Sequence, residues 1–323
     1  MTQFFQLLQA AIVFGTVILF GATGEILTEK SGNLNLGVPG IMYLGGIAGL
    51  IGTFFYESSV AEPNKLLCFV IAVVCALVAS AIGGLIFSFL TITLRANQNV
   101  TGLTLTIFGS GFANFFGGSL NKLAGGVGQI KVASTNAAFR ATFPFLTNVS
   151  VFSRLGAMVY IAIIIAVVLM WFLNRTTRGL NLRAVGENPA TADAAGISVT
   201  KYKYLATCIG AAISGLGGLY YVMDYTGGTW ANDGTIEKLG WLAVALVIFA
   251  TWKSTRAIWG AYLFGLLFWA YNYIPGLGRS SQEIFKMLPY VVTILVLIMV
   301  SLRKRKENSP PTSLGLAYFR EER

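Results

Sequence analysis

The sequence contains no histidine, and charged residues occupy only 11% of its 323 positions. Soluble globular chains usually carry about 25% charged residues. An intramembrane serine protease needs histidine or a comparable base beside its nucleophile, and a membrane zinc protease needs ligands such as a His-Glu-x-x-His pair. The absence of histidine therefore argues against both kinds of membrane enzyme.

Two further chemical features are scarce or missing. The three cysteines, Cys68, Cys75 and Cys208, lie inside apolar runs without the spacing of metal ligands. Because free cysteine is so often simply buried, we interpret them as structural. No GxxxxGK[ST] phosphate loop occurs, since the glycine-rich stretch 125–131 has a different spacing. The chain therefore has no motif for hydrolysing ATP itself.

Long apolar runs dominate what is present, with 55% hydrophobic residues and a mean hydropathy of +0.70. A helix needs about 20 such residues to cross a ~30 Å hydrocarbon layer. We predict an all-α, polytopic membrane helix bundle over residues 1–302, followed by a cytoplasmic tail at 303–323. We expect residues 309–323 of this tail to be mobile or to contact a partner. The nine candidate transmembrane segments are 4–23, 36–56, 66–94, 100–118, 155–173, 204–222, 239–252, 257–275 and 287–302.

Three of these segments have special features. The run 239–252 has only 14 residues, so it must extend, tilt or stop partway across the layer. The run 100–118 is rich in glycine and polar residues, which is typical of a discontinuous helix that faces protein or water. The run 204–222 predicts close packing against another helix. Its small residues recur at four-residue spacing, at Ala206, Gly210, Ser214 and Gly218.

The net charge of +10 is better explained by membrane topology than by nucleic-acid binding. Lysine and arginine accumulate in cytoplasmic loops. The basic loop 174–203, Arg95, the turn 253–256 and the cluster 303–306 all fall on one side of the nine segments. We therefore predict an N-terminus outside and a C-terminus inside. The basic loop 119–154 falls outside in this arrangement, which the rule tolerates for long loops.

As drawn, the nine segments contain no Asp, Glu, Lys or Arg. Proton-coupled transporters and voltage sensors usually place ionisable groups at that depth, so the pattern argues against a proton-driven transporter. Sodium coupling through Asn, Ser, Thr and backbone carbonyls stays open. Without coupling chemistry of its own, the chain would be a passive channel or would take its energy from a partner.

The polar loop 174–203, which we call the island, contains the signals of a short helix at 188–196. Asn188 is a favoured N-cap, and Pro189 suits the first helical position. Gly196 suits the position just after a helix C-terminus. Because so short a helix is unstable alone in water, packing must hold it. Local chemistry allows either a docking element or an ordinary capped turn on the cytoplasmic surface.

Two stretches together favour the docking element. Residues 178–197, RGLNLRAVGENPATADAAGI, resemble the cytoplasmic coupling loop of a permease family. Residues 24–40, GEILTEKSGNLNLGVPG, resemble the segment after an early membrane helix in the same family. This family comprises the membrane subunits of bacterial ABC importers for branched-chain amino acids, simple sugars and nucleosides, and residues 24–40 are nearest its nucleoside branch.

The resemblance implies a multi-pass protein of the bacterial inner membrane that is not itself an enzyme. ATP and Mg would be bound by a separate cytosolic ATPase, and no cofactor by this chain. The helix at 188–196 would dock into that ATPase, and Glu187 and Asp193 would pair with its basic groups. The implied coupling residues are Glu187, Asn188, Pro189, Asp193 and Gly196. Other implied partners are an extracytoplasmic substrate-binding protein and a second permease subunit, which we expect to be a different chain.

Uncharged polar side chains at membrane depth are candidates for the solute pathway, because such groups are costly in lipid unless they are bonded. These candidates are Asn33, Asn35, Ser110, Asn114, Tyr271 and Asn272. Each could equally form a hydrogen bond between helices. Neutral polar walls suit a nucleoside, a simple sugar or riboflavin. The leading hypothesis is an ATP-driven nucleoside importer, and the alternatives are a passive channel or a sugar or riboflavin importer of the same family.

Overall fold

The computed structural model describes residues 2–123, 130–141, 155–274, 276, 278–303 and 309–319. Within those ranges the chain is helical and contains no strand. The helices are α1 (Thr2–Lys30), α2 (Val38–Ser59), α3 (Lys65–Ser88), α4 (Gln98–Leu123), α5 (Ala133–Phe139), α6 (Ala157–Arg175), α7 (Thr177–Glu187), α8 (Pro189–Ala194), α9 (Val199–Tyr220), α10 (Thr235–Phe249), α11 (Ser254–Trp269) and α12 (Arg279–Arg303). Short π-helical turns at Phe89–Thr93 and Tyr221–Tyr225 prolong α3 and α9, and a 3-10 turn at Ala270–Tyr273 follows α11.

Each of the nine predicted segments coincides with a helix of the structure: α1 to α4, α6 and α9 to α12. Among the residues that the structure describes, six helices are long and apolar enough to cross a membrane. They are α1, α2, α6, α12, and the helices α3 and α9, each taken together with the π-turn that follows it. Helices α10 and α11 have 15 and 16 residues, fewer than the ~20 of a full crossing. The all-α prediction is confirmed, whereas nine crossings and their direction stay predictions. The glycine-rich stretch 124–129 and residues 304–306 of the basic cluster lie outside the described ranges.

The prediction of a discontinuous helix at 100–118 is wrong, since α4 runs through this range without interruption. Most of its hydroxyl groups bond back to carbonyls one turn earlier, as Thr104 Oγ1 does to Val100 O at 2.8 Å, and Thr106 Oγ1 donates to Leu36 O at 3.0 Å, so they need no break in the helix. A glycine marks a close approach of backbones, because a methyl group on Gly109 would lie 2.6 Å from Cα of Gly40. The glycine-rich and polar composition reflects the packing of α4 against α2.

The predicted close packing along the small-residue face of α9 is confirmed. A methyl group on Gly210 would lie 2.5 Å from the carbonyl oxygen of Gly24 in α1. One on Gly218 would lie 2.6 Å from the carbonyl carbon of Met42 in α2. The absence of side chains at these positions lets α9 pack with its backbone close to both neighbours, and this places α9 at the centre of the bundle.

The outer faces of α3, α4, α6 and α12 carry exposed apolar side chains. On α3 they recur every four residues, at Val70, Val74, Val78 and Ile82, so they form one stripe along the helix. A large exposed apolar surface marks contact with lipid or with another protein. These faces therefore suit a bundle embedded in a membrane.

The bundle has two chemically different ends. At the island end, α7 lies beside the end of α1, and α8 packs against α7 and α9. The loop between α1 and α2 is bonded to the start of α4 at this end, since Leu34 N donates to Oε1 of Gln98 at 2.7 Å. At the opposite end, the short helix α5 docks onto the bundle. Thr135 N donates to Oε1 of Glu57 at 2.7 Å, and the α5 residue Asn136 donates through Nδ2 to Met223 O at 2.6 Å. The two ends therefore present different surfaces.

Candidate functional site

The short helix predicted in the island is present as α8. Oδ1 of Asn188 accepts a hydrogen bond from Thr191 N at 3.0 Å, so Asn188 is the N-cap. Pro189 is the first helical residue. Gly196 has a φ of +80°, which is the left-handed conformation expected just after a helix C-terminus. The predicted local geometry is confirmed, and the docking role stays a prediction.

Packing holds α8 in place, as a helix of six residues requires. Ala192 is 3% exposed and forms a small apolar cluster with Val185 of α7 and Val199 of α9. Partly buried Ile197 and Tyr318 pack against this cluster. The exposed residues of α8 are Ala190, Thr191 and Ala194. Helix α8 therefore has one packed face and one exposed face.

Helix α7 was not indicated by the sequence patterns, and it connects α8 to α1. Its N-cap is Thr176, whose Oγ1 accepts a hydrogen bond from Gly179 N at 3.0 Å. This threonine was the sequence signal that could have predicted the start of α7, but the glycines inside the helix weaken a helix prediction. At the other end of α7, a methyl group on Gly186 would lie 3.0 Å from the carbonyl carbon of Lys30 and 3.2 Å from Gly32 N. The backbone of α7 thus rests directly on the end of α1.

Residues 309–319 of the tail, which we call the strap, lie across the island. Ser313 Oγ donates to Gly186 O at 2.6 Å, and Gly315 N donates to Gly32 O at 3.2 Å. Pro311 and Ser313 are buried. The tail was expected to be mobile or to contact a partner, and this part of it instead packs on its own chain.

The strap also bonds the two carboxylates that were predicted to pair with a partner ATPase. Thr312 Oγ1 donates to Oε2 of Glu187 at 2.8 Å, and Tyr318 OH donates to Oδ2 of Asp193 at 2.9 Å. Glu187 is exposed and Asp193 half-buried. Because a carboxylate offers about four acceptor positions, both can still accept hydrogen bonds from another protein.

The first two pathway candidates, Asn33 and Asn35, lie together in the buried turn between α1 and α2. Asn33 Nδ2 donates to Oγ1 of Thr207 in α9 at 2.9 Å. Oδ1 of Asn35 accepts from Gly37 N at 2.9 Å. Both side chains therefore serve as structural hydrogen-bonding groups, yet Asn33 Oδ1 and Asn35 Nδ2 have no partner among the residues that the structure describes.

The other four pathway candidates lie elsewhere. Ser110 Oγ bonds back to Ile107 O at 3.1 Å within α4, and Asn114 Oδ1 accepts from Trp230 Nε1 at 3.1 Å near the opposite end. Tyr271 and Asn272 belong to the 3-10 turn after α11, also at the opposite end, and Asn272 is exposed. The structure therefore does not bring the six candidates together at one site.

Ionisable residues do lie inside the long helices, which corrects the sequence analysis. Glu25 and Glu29 are 1% and 2% exposed in α1, because this helix continues to Lys30 beyond the predicted segment. Asn35 N donates to Oε1 of Glu25 at 3.0 Å, and Trp252 Nε1 donates to Oε2 of Glu29. Because α1 contains these carboxylates, the predicted absence of charge from the membrane segments no longer argues against an ion-coupled transporter. Spacing by four residues without an intervening helix breaker was the signal that could have placed both carboxylates on one helix face.

Two more buried ionisable groups belong to α9 and its π-turn. Lys203 is 3% exposed and Asp224 is 7% exposed. Arg140 Nε lies 3.7 Å from Oδ1 of Asp224, so this carboxylate has a cationic partner at the opposite end. No group of three His, Cys, Asp or Glu side chains that could hold a metal ion occurs in the described ranges.

Comparison with known proteins decides the family. Residues 7–297 match the permease component of branched-chain amino acid transport systems. The chain belongs to this permease family. It is 35% identical to TsgC13 of Haloferax volcanii, an ABC transporter permease provisionally assigned to glucose, over 98% of each chain. It is 28% identical to the nucleoside ABC transporter permease NupC of Lactococcus lactis, over 89% of this chain and 90% of NupC.

A third relative is NupB, another nucleoside ABC transporter permease of Lactococcus lactis, which is 25% identical over 90% of this chain and 79% of its own. No solved structure matches the chain. The family and the apolar helices together show a permease subunit that is a multi-pass protein of the cell membrane.

Proposed function

We propose that this permease is one membrane subunit of an ATP-driven importer, which carries a nucleoside or a related neutral polar solute into the cytoplasm. A separate cytosolic ATPase would bind ATP and Mg and would drive the bundle through α8. The observation that carries this proposal is the position of α8. It has one exposed face, and α7 joins it to the end of α1 through the backbone contact of Gly186 with Lys30.

The proposed topology has nine crossings, with the island end in the cytoplasm. Helix α11 and its 3-10 turn run together from Ser254 to Tyr273, which brings that segment to about the length of a crossing. An odd number of crossings places the two termini on opposite sides. Basic Arg95, Lys253 and Lys201 then face the cytoplasm, as positive residues in short loops usually do.

The opposite end would receive an extracytoplasmic substrate-binding protein. Helix α5 supports this role because it is fixed by side chains from two other elements. Glu57 at the end of α2 accepts from Thr135, and Arg140 pairs with Asp224 after α9. A docked helix of this kind gives a partner a preformed surface, which lowers the cost of ordering on binding.

The second membrane subunit is proposed to be a different permease chain. Two different nucleoside permeases of one organism, NupB and NupC, both match this chain over about nine-tenths of its length, which supports pairing of unlike subunits. Purification of the assembled transporter through a tag on this chain tests the proposal by mass spectrometry. Recovery of a single permease species would contradict it.

The solute class rests on the relatives and on the uncharged polar groups. NupB and NupC favour a nucleoside, whereas the 35% identity to TsgC13 favours a simple sugar as the second candidate. Both classes share a neutral sugar ring. Binding of labelled nucleosides and sugars to the cognate extracytoplasmic binding protein separates them, since that protein selects the solute before the permease receives it.

The coupling role of α8 is tested with Ala192→Pro in the reconstituted complex. Proline removes the bond from Ala192 N to Asn188 O, which measures 3.0 Å, and breaking a helix interior in this way costs about 3 kcal/mol or more. We expect ATP-driven uptake to be lost. Undiminished uptake by Ala192→Pro would refute the proposal. Gradient-driven uptake by this chain alone in liposomes would instead indicate a passive channel.

A further inference from the structure

A cavity of about 390 Å³ lies beneath the strap at the island end. Strap residues 316–318 form one wall, and the start of α9 forms another. The remaining lining comes from Asp193 of α8, Arg95 of the turn between α3 and α4, Asn33, Gln98 and the π-turn residues 91–93. At ~30 Å³ for each water molecule, a space of this size holds about a dozen waters or a small solute.

The lysine in this cavity has no partner within the described part of the chain. Lys203 lines the cavity and is 3% exposed. No hydrogen bond or ion pair joins its ammonium group to any residue that the structure describes. A lysine with a buried stem keeps its ammonium group toward the nearest water, which here is the cavity that Lys203 lines. This charge is therefore available to an anion that enters the cavity from outside the chain.

Two other features direct positive charge into the same space. Helix α9 begins at the cavity wall, and its N-cap Ser198 makes no side-chain capping bond. The positive end of the helix dipole and the first amide groups of a helix favour an anion at this position. Arg95 lies over the ring of strap residue Phe319, 4.5 Å from its centroid, so its guanidinium group is held beside the cavity.

The charges and the unpaired atoms define the chemistry of the anion. Lys203 and Arg95 contribute two positive charges and Asp193 one negative charge, so the lining carries a net charge of +1. Asn33 Oδ1 also belongs to the lining and lacks a partner among the described residues, so it can accept a hydrogen bond from the ligand. We propose that this cavity binds a singly charged phosphate group that keeps at least one hydroxyl, as dihydrogen phosphate or as a protonated phosphomonoester, with Lys203 as its main partner.

Phosphate binding in this cavity would also hold the strap against the start of α9. The phosphate would touch the strap on one side and the start of α9 on the other, and Tyr318 already bonds Asp193 of α8 at 2.9 Å. A ligand that bridges these elements stabilises the folded chain in proportion to the logarithm of its concentration above Kd. Thermal stability is therefore a direct readout of occupancy.

The test measures the unfolding temperature of the purified full chain in a neutral detergent, with inorganic phosphate titrated against chloride at equal ionic strength. We expect a saturable rise with phosphate. Lys203→Met should abolish this rise, because it removes the main partner of the phosphate. The matched control is Lys201→Met, an exposed lysine on the same turn of α9, which should respond to phosphate as the unmodified chain does.

A second variant keeps the test decisive if Lys203→Met does not fold. Arg95 is exposed, so Arg95→Gln should be tolerated, and loss of one charge-assisted contact should weaken phosphate binding by about three- to tenfold. An unchanged phosphate response in both variants would overturn the assignment of the site.

The source of the phosphate is resolved with nanodiscs of phosphatidylcholine alone or with added phosphatidic acid. A Lys203-dependent rise with the phosphatidic acid discs but not with inorganic phosphate identifies a lipid headgroup. A rise with inorganic phosphate in phosphatidylcholine discs identifies a soluble ligand. If neither arm gives a Lys203-dependent rise, the proposal is wrong.

Discussion

The contact between α4 and α2 can be tested with two glycines on the same helix. Gly109 lies against Gly40, whereas a methyl group on Gly111 would find no atom within 4 Å. Gly109→Ala and Gly111→Ala thus make the same chemical change in the same helix. They differ only in what the added methyl group meets.

The expected magnitudes follow from these surroundings. Each substitution removes a glycine from a helix interior, which by itself favours the helix by about 1 kcal/mol. At Gly109 the methyl group would lie 2.6 Å from Cα of Gly40 and nearer still to its carbonyl oxygen, whereas ordinary contact begins at 3.4 Å, so the helices must separate by about 1 Å. Such overpacking costs about 1–3 kcal/mol. We expect Gly109→Ala to be about 1–3 kcal/mol less stable than Gly111→Ala, which should equal or exceed the unmodified chain.

The measurement is reversible unfolding in mixed micelles by titration with sodium dodecyl sulfate, followed by circular dichroism. Because helix propensity changes equally in both variants, the difference between their free energies of unfolding isolates the steric effect. If Gly109→Ala proved as stable as Gly111→Ala, the close approach of α4 to α2 would be incorrect.

Two other substitutions test the island and the buried carboxylates. Asn188→Ala removes the acceptor of the Thr191 amide, which should destabilise α8 by about 0.5–2 kcal/mol and reduce ATP-driven uptake in the reconstituted complex. Asn188→Asp keeps the cap and should keep uptake, so equal loss in both variants would contradict a capping effect. Trp252→Phe removes the donor to buried Glu29 and should lower the free energy of unfolding by about 1–3 kcal/mol. Trp259→Phe is the control, because Trp259 is 80% exposed, and an equally large effect there would refute the role of that bond.

Hydropathy predicted the existence of the nine long helices but misplaced their ends. The segment predicted at 4–23 stops before Glu25 because charged residues are costly in lipid. In the structure, α1 continues because amide and indole groups from distant parts of the chain satisfy both carboxylates, as Asn35 N does for Glu25. Tertiary packing brings those donors to α1, so no local sequence pattern could predict these hydrogen bonds.

The island shows the same division between local and distant signals. The cap at Asn188 and the glycine at Gly196 act on neighbouring backbone groups, so spacing alone predicted α8. The strap is held partly through backbone groups, as in the bond from Ser313 N to Gly186 O at 3.1 Å. A backbone bond between residues so far apart requires no particular side chain, and the tail composition therefore gave no sign of it.

The buried carboxylates Glu25 and Glu29 lie near the point where α7 contacts the end of α1. Helix α8 follows directly on α7, whose Gly186 rests on the end of α1 at Lys30. Glu29, one residue before Lys30 in α1, accepts a hydrogen bond from Trp252 in the turn between α10 and α11. Glu25, one helical turn before Glu29, accepts a hydrogen bond from the Asn35 amide, just before α2. A movement imposed on α8 would reach the end of α1 through α7, by the apolar cluster of Val185 and Ala192 and by the backbone contact of Gly186. The hydrogen bonds of Glu29 and Glu25 join the same end of α1 to the turn before α11 and to the amide before α2, so these elements would be displaced together only if the contacts between them stay intact.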